Sequence, residues 1–187
     1  MQQMISVKTD IDRLTRGLTE AQRGLKDAAI RAALNRVAST AKTRALKEIT
    51  SEWNVKRSDI APMVTLKRAE RGGGGMEAAV RAEGAISLPI YKFGARQTKS
   101  GVSFKIKKSG KRGKLANAFI AKMKSGKVGV FERVGKKRLP IVEKFTIGIP
   151  RMLVARAIVD KLKALVRVEF PKRLEHELRY RLERAAR

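Results

Sequence analysis

The chain has 187 residues, 43% of them hydrophobic, enough for one domain with a core of its own. Its 44 lysines and arginines face 17 acids, a formal net charge of +27, which points to a negative partner: nucleic acid first, an anionic membrane surface second. There is no cysteine, which excludes disulfides, thiolate metal sites and a cysteine nucleophile.

From about Asp10 to Ile49 the pattern is helical. Ile11, Leu14, Leu18, Ala21, Leu25, Ala28, Ala32 and Val37 recur at helical spacing. Gly17 and Gly24 weaken the first half, so the secure helix is placed at roughly 25–50. Its small residues, Ala28, Ala29, Ala32, Ala33, Ala38 and Ala41, suit a closely packed neighbour, with Arg31, Arg36, Lys42, Arg44 and Lys47 on the outer face. In "WNVKRSDIAPM", Ser58 or Asp59 is expected to cap a short helical turn that Pro62 limits.

"MVTLKRAE" and "MEAAVRAE" read as two strands around "RGGGG", where Gly72 to Gly75 is expected to form a mobile tip. "AISLPIYKFG" is extended, with Pro89 pushing it toward a sheet edge or bulge. "GVSFKIKK" alternates, with Val102, Phe104 and Ile106 on one face and Ser103, Lys105 and Lys107 on the other. "SGKRGK" reads as a flexible basic loop. "NAFIAKM" and "KVGVFERV" flank "KSGK", a hairpin signal built on Ser125 and Gly126. "LPIVEKFTIGIP" is a further extended segment closed by Pro150. Leu153, Ala157, Ile158, Leu162 and Leu165 restore the helical period over Arg151 to Val168. Pro171 is expected to break or restart that helix. "PKRLEHELRYRLERAAR" then carries Leu174, Leu178 and Leu182 at spacing four.

The expected class is therefore α+β: a long N-terminal helix, an antiparallel sheet of about five or six short strands with basic loops, and C-terminal helices. Residues 1–55 form the N-terminal helical part, 60–150 the basic sheet part and 151–187 the C-terminal helical part of a single domain. No apolar run approaches the roughly 18 residues needed to span a bilayer. "MQQMISVKTDIDRL" has charges where a signal peptide needs an apolar core. These features point to a soluble protein made in the cytoplasm, without a membrane partner.

Between Lys92 and Arg138 there are sixteen basic residues and one acid, Glu132, so this quarter of the chain carries +15 of the total +27. Twelve of the sixteen are lysines. The candidate polyanion contacts are Lys105, Lys107, Lys108, Lys111, Arg112, Lys114, Lys122, Lys124, Lys127, Lys136, Lys137 and Arg138. Lysines this close repel one another within a Debye length of about 8–10 Å, and a phosphate array reverses the sign of that interaction. Such contact reads charge and shape rather than sequence. Phe93, Phe104, Phe119, Phe131 and Phe145 sit where they are expected to fill the core, so no stacking platform for single strands is apparent.

Nothing in the chain reads as catalytic, and no cofactor or metal is expected. The sole histidine, His176, lies between Glu175 and Glu177 on a helix that looks exposed. "RGGGGM" lacks the lysine and hydroxyl residue of a phosphate loop, and residues 129–138 do not form a GxGxxG turn. Asp10, Asp12, Glu48, Glu52, Asp59, Glu132, Glu143 and Asp160 are scattered along the chain, whereas a nuclease gathers carboxylates around Mg²⁺.

Five segments occur in a telling order: "ALNRVASTAKTRALKEI", "VKRSDIAPMVTLKRA", "ISLPIYKFGAR", "NAFIAKMKSGKVGVFERVGKKRLPI" and "FPKRLEHELRYRL". They resemble the minor tail protein Z family of lambda-like phages and prophages, a resemblance that covers roughly residues 28–183. The resemblance departs at Gly17, Gly24 and the four-glycine loop. It implies a non-enzymatic structural protein that completes the head-proximal end of the tail and joins tail to head at the neck of the virion. It further implies a homo-oligomeric ring, most naturally hexameric, around a channel for double-stranded genomic DNA. Its neighbours would be the tail tube, tail terminator and head–tail connector proteins. A free sequence-nonspecific nucleic-acid-binding protein is the alternative. An enzyme acting on DNA is the third reading.

Overall fold

The computed structural model describes residues 23–72, 75–83 and 87–186. The expected helical residues Ile11, Leu14, Leu18 and Ala21, with Gly17, lie outside them, as do Gly73 and Gly74 of the glycine tip. Two long helices bracket a run of short strands, so the α+β class is borne out. Helix α1 spans Arg23–Glu52. The short α2 spans Arg57–Ile60, followed by a 3-10 turn over Ala61–Met63. Ten strands follow among the described residues, more than the five or six expected: β1 Val64–Gly72, β2 Gly75–Ala82, β3 Ser87–Pro89, β4 Arg96–Thr98, β5 Gly101–Phe104, β6 Gly113–Leu115, β7 Ala118–Lys122, β8 Val128–Arg133, β9 Ile141–Glu143 and β10 Phe145–Ile147. Helices α3, Ile149–Leu153, and α4, Arg156–Ala185, close the chain.

The strands form four small sheets rather than one. β1 pairs with β2, β3 with β10, and two three-stranded sheets run β4-β5-β6 and β7-β8-β9. By backbone contacts the chain divides into two compact units, and the boundary cuts α1 between Ala45 and Leu46.

The first unit holds residues 23–45 of α1, residues 64–72 of β1 and 75–81 of β2, and 154–186 with α4. In α1 the buried residues Ala29, Ala33, Val37, Ala41 and Ala45 recur every four positions. Alanine favours the helix and lets its neighbours approach closely. In α4 Ile158, Leu162, Val166, Phe170, Leu174 and Leu178 do the same. This helix runs unbroken through Pro171, against expectation. The proline removes the hydrogen bond to the carbonyl of Arg167. Arg167 is on the exposed side, where water can take that carbonyl, while Phe170 and Leu174 stay anchored in the core. Asn35 joins α1 to β1: its Oδ1 accepts the Ala69 N–H at 2.7 Å.

The second unit holds residues 46–63, 82–83 and 87–153. Its core cluster is Ile90, Val102, Ala118 and Val130, with Ala95, Phe104, Leu115 and Ile120 packed against it. The β7–β8 hairpin forms where "KSGK" placed it, in register Ala118↔Glu132 to Lys122↔Val128. Its turn is closed by Met123 N–H to the Lys127 carbonyl at 2.8 Å, with Gly126 at φ 83°. The short α2 is capped differently from expectation. Lys56 occupies the cap position without a side-chain bond, and Asp59 lies in the first turn. Ser58 and Asp59 fall inside the helix because it begins one residue before Ser58.

Candidate polyanion interface

The second unit carries the candidate residues, with 21 lysines and arginines against six acids. Burial leaves eleven of the twelve candidates exposed and only Lys105 half-buried. Exposure alone does not make them equivalent, because carboxylates distant in sequence claim some of the basic side chains.

Strand β5 ends at Phe104, so the alternation expected over "SFKIKK" stops short of its lysines. Residues 105–108 are instead stitched to neighbouring backbone. Lys105 N–H donates to the Phe93 carbonyl at 3.0 Å, Asn54 N–H to Ile106 at 2.8 Å, and Lys108 N–H to Glu52 at 2.9 Å. Lys107 and Trp53 form an antiparallel bridge. The Lys107 ammonium lies 2.8 Å from Glu52 Oε1 and 4.8 Å from the centre of the Trp53 ring. Lys107 is thereby committed to the protein.

The segment read as a flexible loop is pinned as well. Arg112 Nη2 donates to the carbonyls of Gly94 at 2.9 Å and Ser103 at 3.2 Å, and to the Ser103 hydroxyl at 3.2 Å. Strand β6 begins immediately after it and places Lys114 opposite Ser103. Lys127 is claimed by Glu143, Nζ to Oε2 at 2.5 Å, and sits 5.8 Å from the Phe145 ring. Two further basic residues outside the candidate set, Lys92 and Lys144, pair with Asp59 and Glu132, each at 2.5 Å.

Lys108, Lys111, Lys114, Lys122, Lys124, Lys136, Lys137 and Arg138 remain, all exposed and with no acidic partner among the described residues. They do not make one continuous patch. Lys122 and Lys124 adjoin the turn before β8, whereas Lys136, Lys137 and Arg138 lie in the turn after it. A six-residue strand separates those turns by about 17 Å.

The phenylalanines divide unevenly. Phe93 and Phe131 are buried, and Phe104 and Phe119 half-buried. Phe145 is 47% exposed, contrary to the core placement expected for it. It lies on short β10, whose partner β3 covers only three residues. Sequence reading also missed the counter-charges Glu52, Asp59 and Glu143, which reach the basic segment only through tertiary contact.

His176 is exposed on α4, where Glu175 pairs with Arg179 at 2.9 Å and Glu177 with Arg181. Among the described residues, no group of three or more His, Asp or Glu side chains could hold a metal ion. No helix among them is long and apolar enough to cross a membrane.

Comparison with curated proteins and with solved structures gives no match. Comparison with protein families does: the family described as prophage minor tail protein Z (GPZ) matches residues 10–187. With nearly the whole length matched, including the basic strands just described, the chain belongs to the prophage minor tail protein Z family.

Proposed function

We propose that this minor tail protein is a structural component of a long-tailed phage virion, completing the head-proximal end of the tail and joining tail to head. It acts as one tail-completion domain over residues 1–187, in a homo-oligomeric ring of hexameric symmetry around the DNA channel. Its neighbours there are the tail tube, the tail terminator and the head–tail connector proteins. Family membership over residues 10–187 carries this reading. The role is mechanical and needs no catalytic group or cofactor.

The exposed lysines support a contact with double-stranded DNA. Genomic DNA must enter such a channel and leave it again at ejection, so the wall has to attract the duplex without locking it. Lysine ammoniums on flexible stems make salt-sensitive contacts with phosphate and read no sequence. Arginine forks hold phosphate bidentately and more rigidly. The one arginine in the 105–114 segment, Arg112, is turned toward protein carbonyls, leaving Lys108, Lys111 and Lys114 outward.

Antibody labelling of purified particles, imaged by electron microscopy, tests the assignment. Label at the neck or upper tail supports it. Particles that show no label, and in which mass spectrometry finds no such chain, would transfer the protein to the alternative of a free sequence-nonspecific nucleic-acid-binding protein.

A further inference from the structure

The basic turn after β8 differs from the other lysine-rich segments because it is also apolar. Val134 and Leu139 are each 65% exposed and Val142 is 49% exposed. The register Arg133↔Ile141 and Glu132↔Val142 is extended by Val134 N–H, which donates to the Pro140 carbonyl at 3.1 Å. Side chains alternate across a strand, so Val134 and Val142 share one face. It is the face on which Val130 enters the core cluster. Glu132, paired with Lys144, lies on this face between Val130 and Val134. Beyond that ion pair Val134 and Val142 form an apolar patch that stays uncovered. Lys136, Lys137 and Arg138 rim it, without an acidic partner among the described residues.

The backbone adds a second observation. Strand β9 is the edge of the β7-β8-β9 sheet. Lys144 N–H donates to Val130 at 2.8 Å and Val134 N–H to Pro140 at 3.1 Å. Antiparallel pairs alternate, so the backbone groups of Ile141 and Glu143 point away from β8. No described backbone group takes them. An open edge beside an apolar face is a template for another strand.

Duplex DNA satisfies the charges here but neither the edge nor the apolar side chains. At this basic turn a second copy of this chain, at +27, sets like charge against like, whichever other faces join copies in a ring. We infer that the β9 edge and the β8–β9 turn form a docking site for an extended, acidic segment of a different protein, which adds as a fourth strand to this sheet. Apolar side chains at alternate positions of that segment cover Val142 and Val134, and its carboxylates meet Lys136, Lys137 and Arg138. The inference rests on this geometry and holds wherever in the particle the chain sits.

The test uses the purified full-length chain and two probes at physiological salt: a labelled peptide of about ten residues alternating Glu with Val, and a duplex DNA of about twenty base pairs. The variant V134S/L139S/V142S keeps every charge. It is expected to weaken peptide binding by about tenfold or more while leaving duplex binding within about twofold. N-methylation of alternate peptide amides, which removes the strand's donors, is expected to abolish binding. L139S alone, in the exposed turn, serves where circular dichroism shows the triple variant unfolded, and is expected to weaken the peptide severalfold. Equal binding of the methylated peptide, or of a Glu–Ser peptide, overturns the proposal. So does unchanged peptide affinity in the folded variants. Loss of duplex binding in these charge-preserving variants would reassign the surface to DNA.

Discussion

Lys107 reaches Glu52 at 2.8 Å across 55 positions of sequence, tying the basic segment to the end of α1. The same ammonium lies 4.8 Å from the Trp53 ring. One lysine of the charge run is therefore a structural clamp. Its partners are partly exposed, the lysine 49% and the glutamate 29%, so solvent screens the pair. Ion pair and ring contact together are worth about 1 kcal/mol. Lys107→Gln is expected to lower stability by that amount and to leave duplex DNA affinity within about twofold. Urea denaturation followed by fluorescence of the one tryptophan, Trp53, reads the first effect. Unchanged stability with a clear loss of DNA affinity would instead put Lys107 at a phosphate.

Two turn glycines are expected to behave differently on replacement by alanine. At Gly101, φ is 130° and an added Cβ would sit 2.0 Å from the Leu115 carbonyl oxygen, part of the paired strand β6. Neither strain nor clash can relax without parting β5 from β6. Gly101→Ala is expected to cost about 3 kcal/mol or more. At Gly126, φ is 83° but the space is open, so Gly126→Ala carries only the backbone strain, about 1 kcal/mol. Equal midpoints for the two variants in urea would contradict this account.

Local pattern revealed the elements whose cause is local. The alanine-rich period marked α1, and "KSGK" marked the β7–β8 turn because only a few conformations fit a turn that short. Pro171 misled because a proline's cost depends on what anchors the helix around it, here Phe170 and Leu174. The single-sheet expectation failed for a similar reason: alternation identifies strands but not which strands pair, and β3 pairs with β10 across more than fifty residues. The basic surface was legible as composition. Its division into clamped and outward lysines was not, because Glu52, Asp59 and Glu143 come from outside the run.

Asn35 supplies the link between α1 and β1 in the first unit. Its Oδ1 accepts from the Ala69 N–H at 2.7 Å, and Ala69 is buried. Without that acceptor the buried amide is left unsatisfied, at a cost of about 1–3 kcal/mol. Asn35→Ala is expected to show this loss in thermal unfolding, together with faster hydrogen exchange at the Ala69 amide. Asn35→Asp keeps an acceptor oxygen in place and is expected to recover most of the protection. Unaltered exchange at Ala69 in the alanine variant would mean that the amide finds another acceptor.

The outward lysines make a prediction about salt. Each phosphate neutralised on a duplex releases counterions and contributes about −0.9 to the slope of log K against log salt. Replacing Lys108, Lys111, Lys114, Lys122 and Lys124 with glutamine removes up to five such contacts without touching a described ion pair. The slope should flatten by up to about 4.5, and affinity at low salt should fall far more than at high salt. Lys163 and Lys172, exposed on α4 in the other unit, serve as a control of equal chemistry. Their replacement changes net charge but is expected to leave the slope within one contact of the parent. If both variants flatten the slope in proportion to the charge removed, the protein attracts DNA through its total charge. If only the first does, the duplex is held at the loops around β5–β8, and the effect is local.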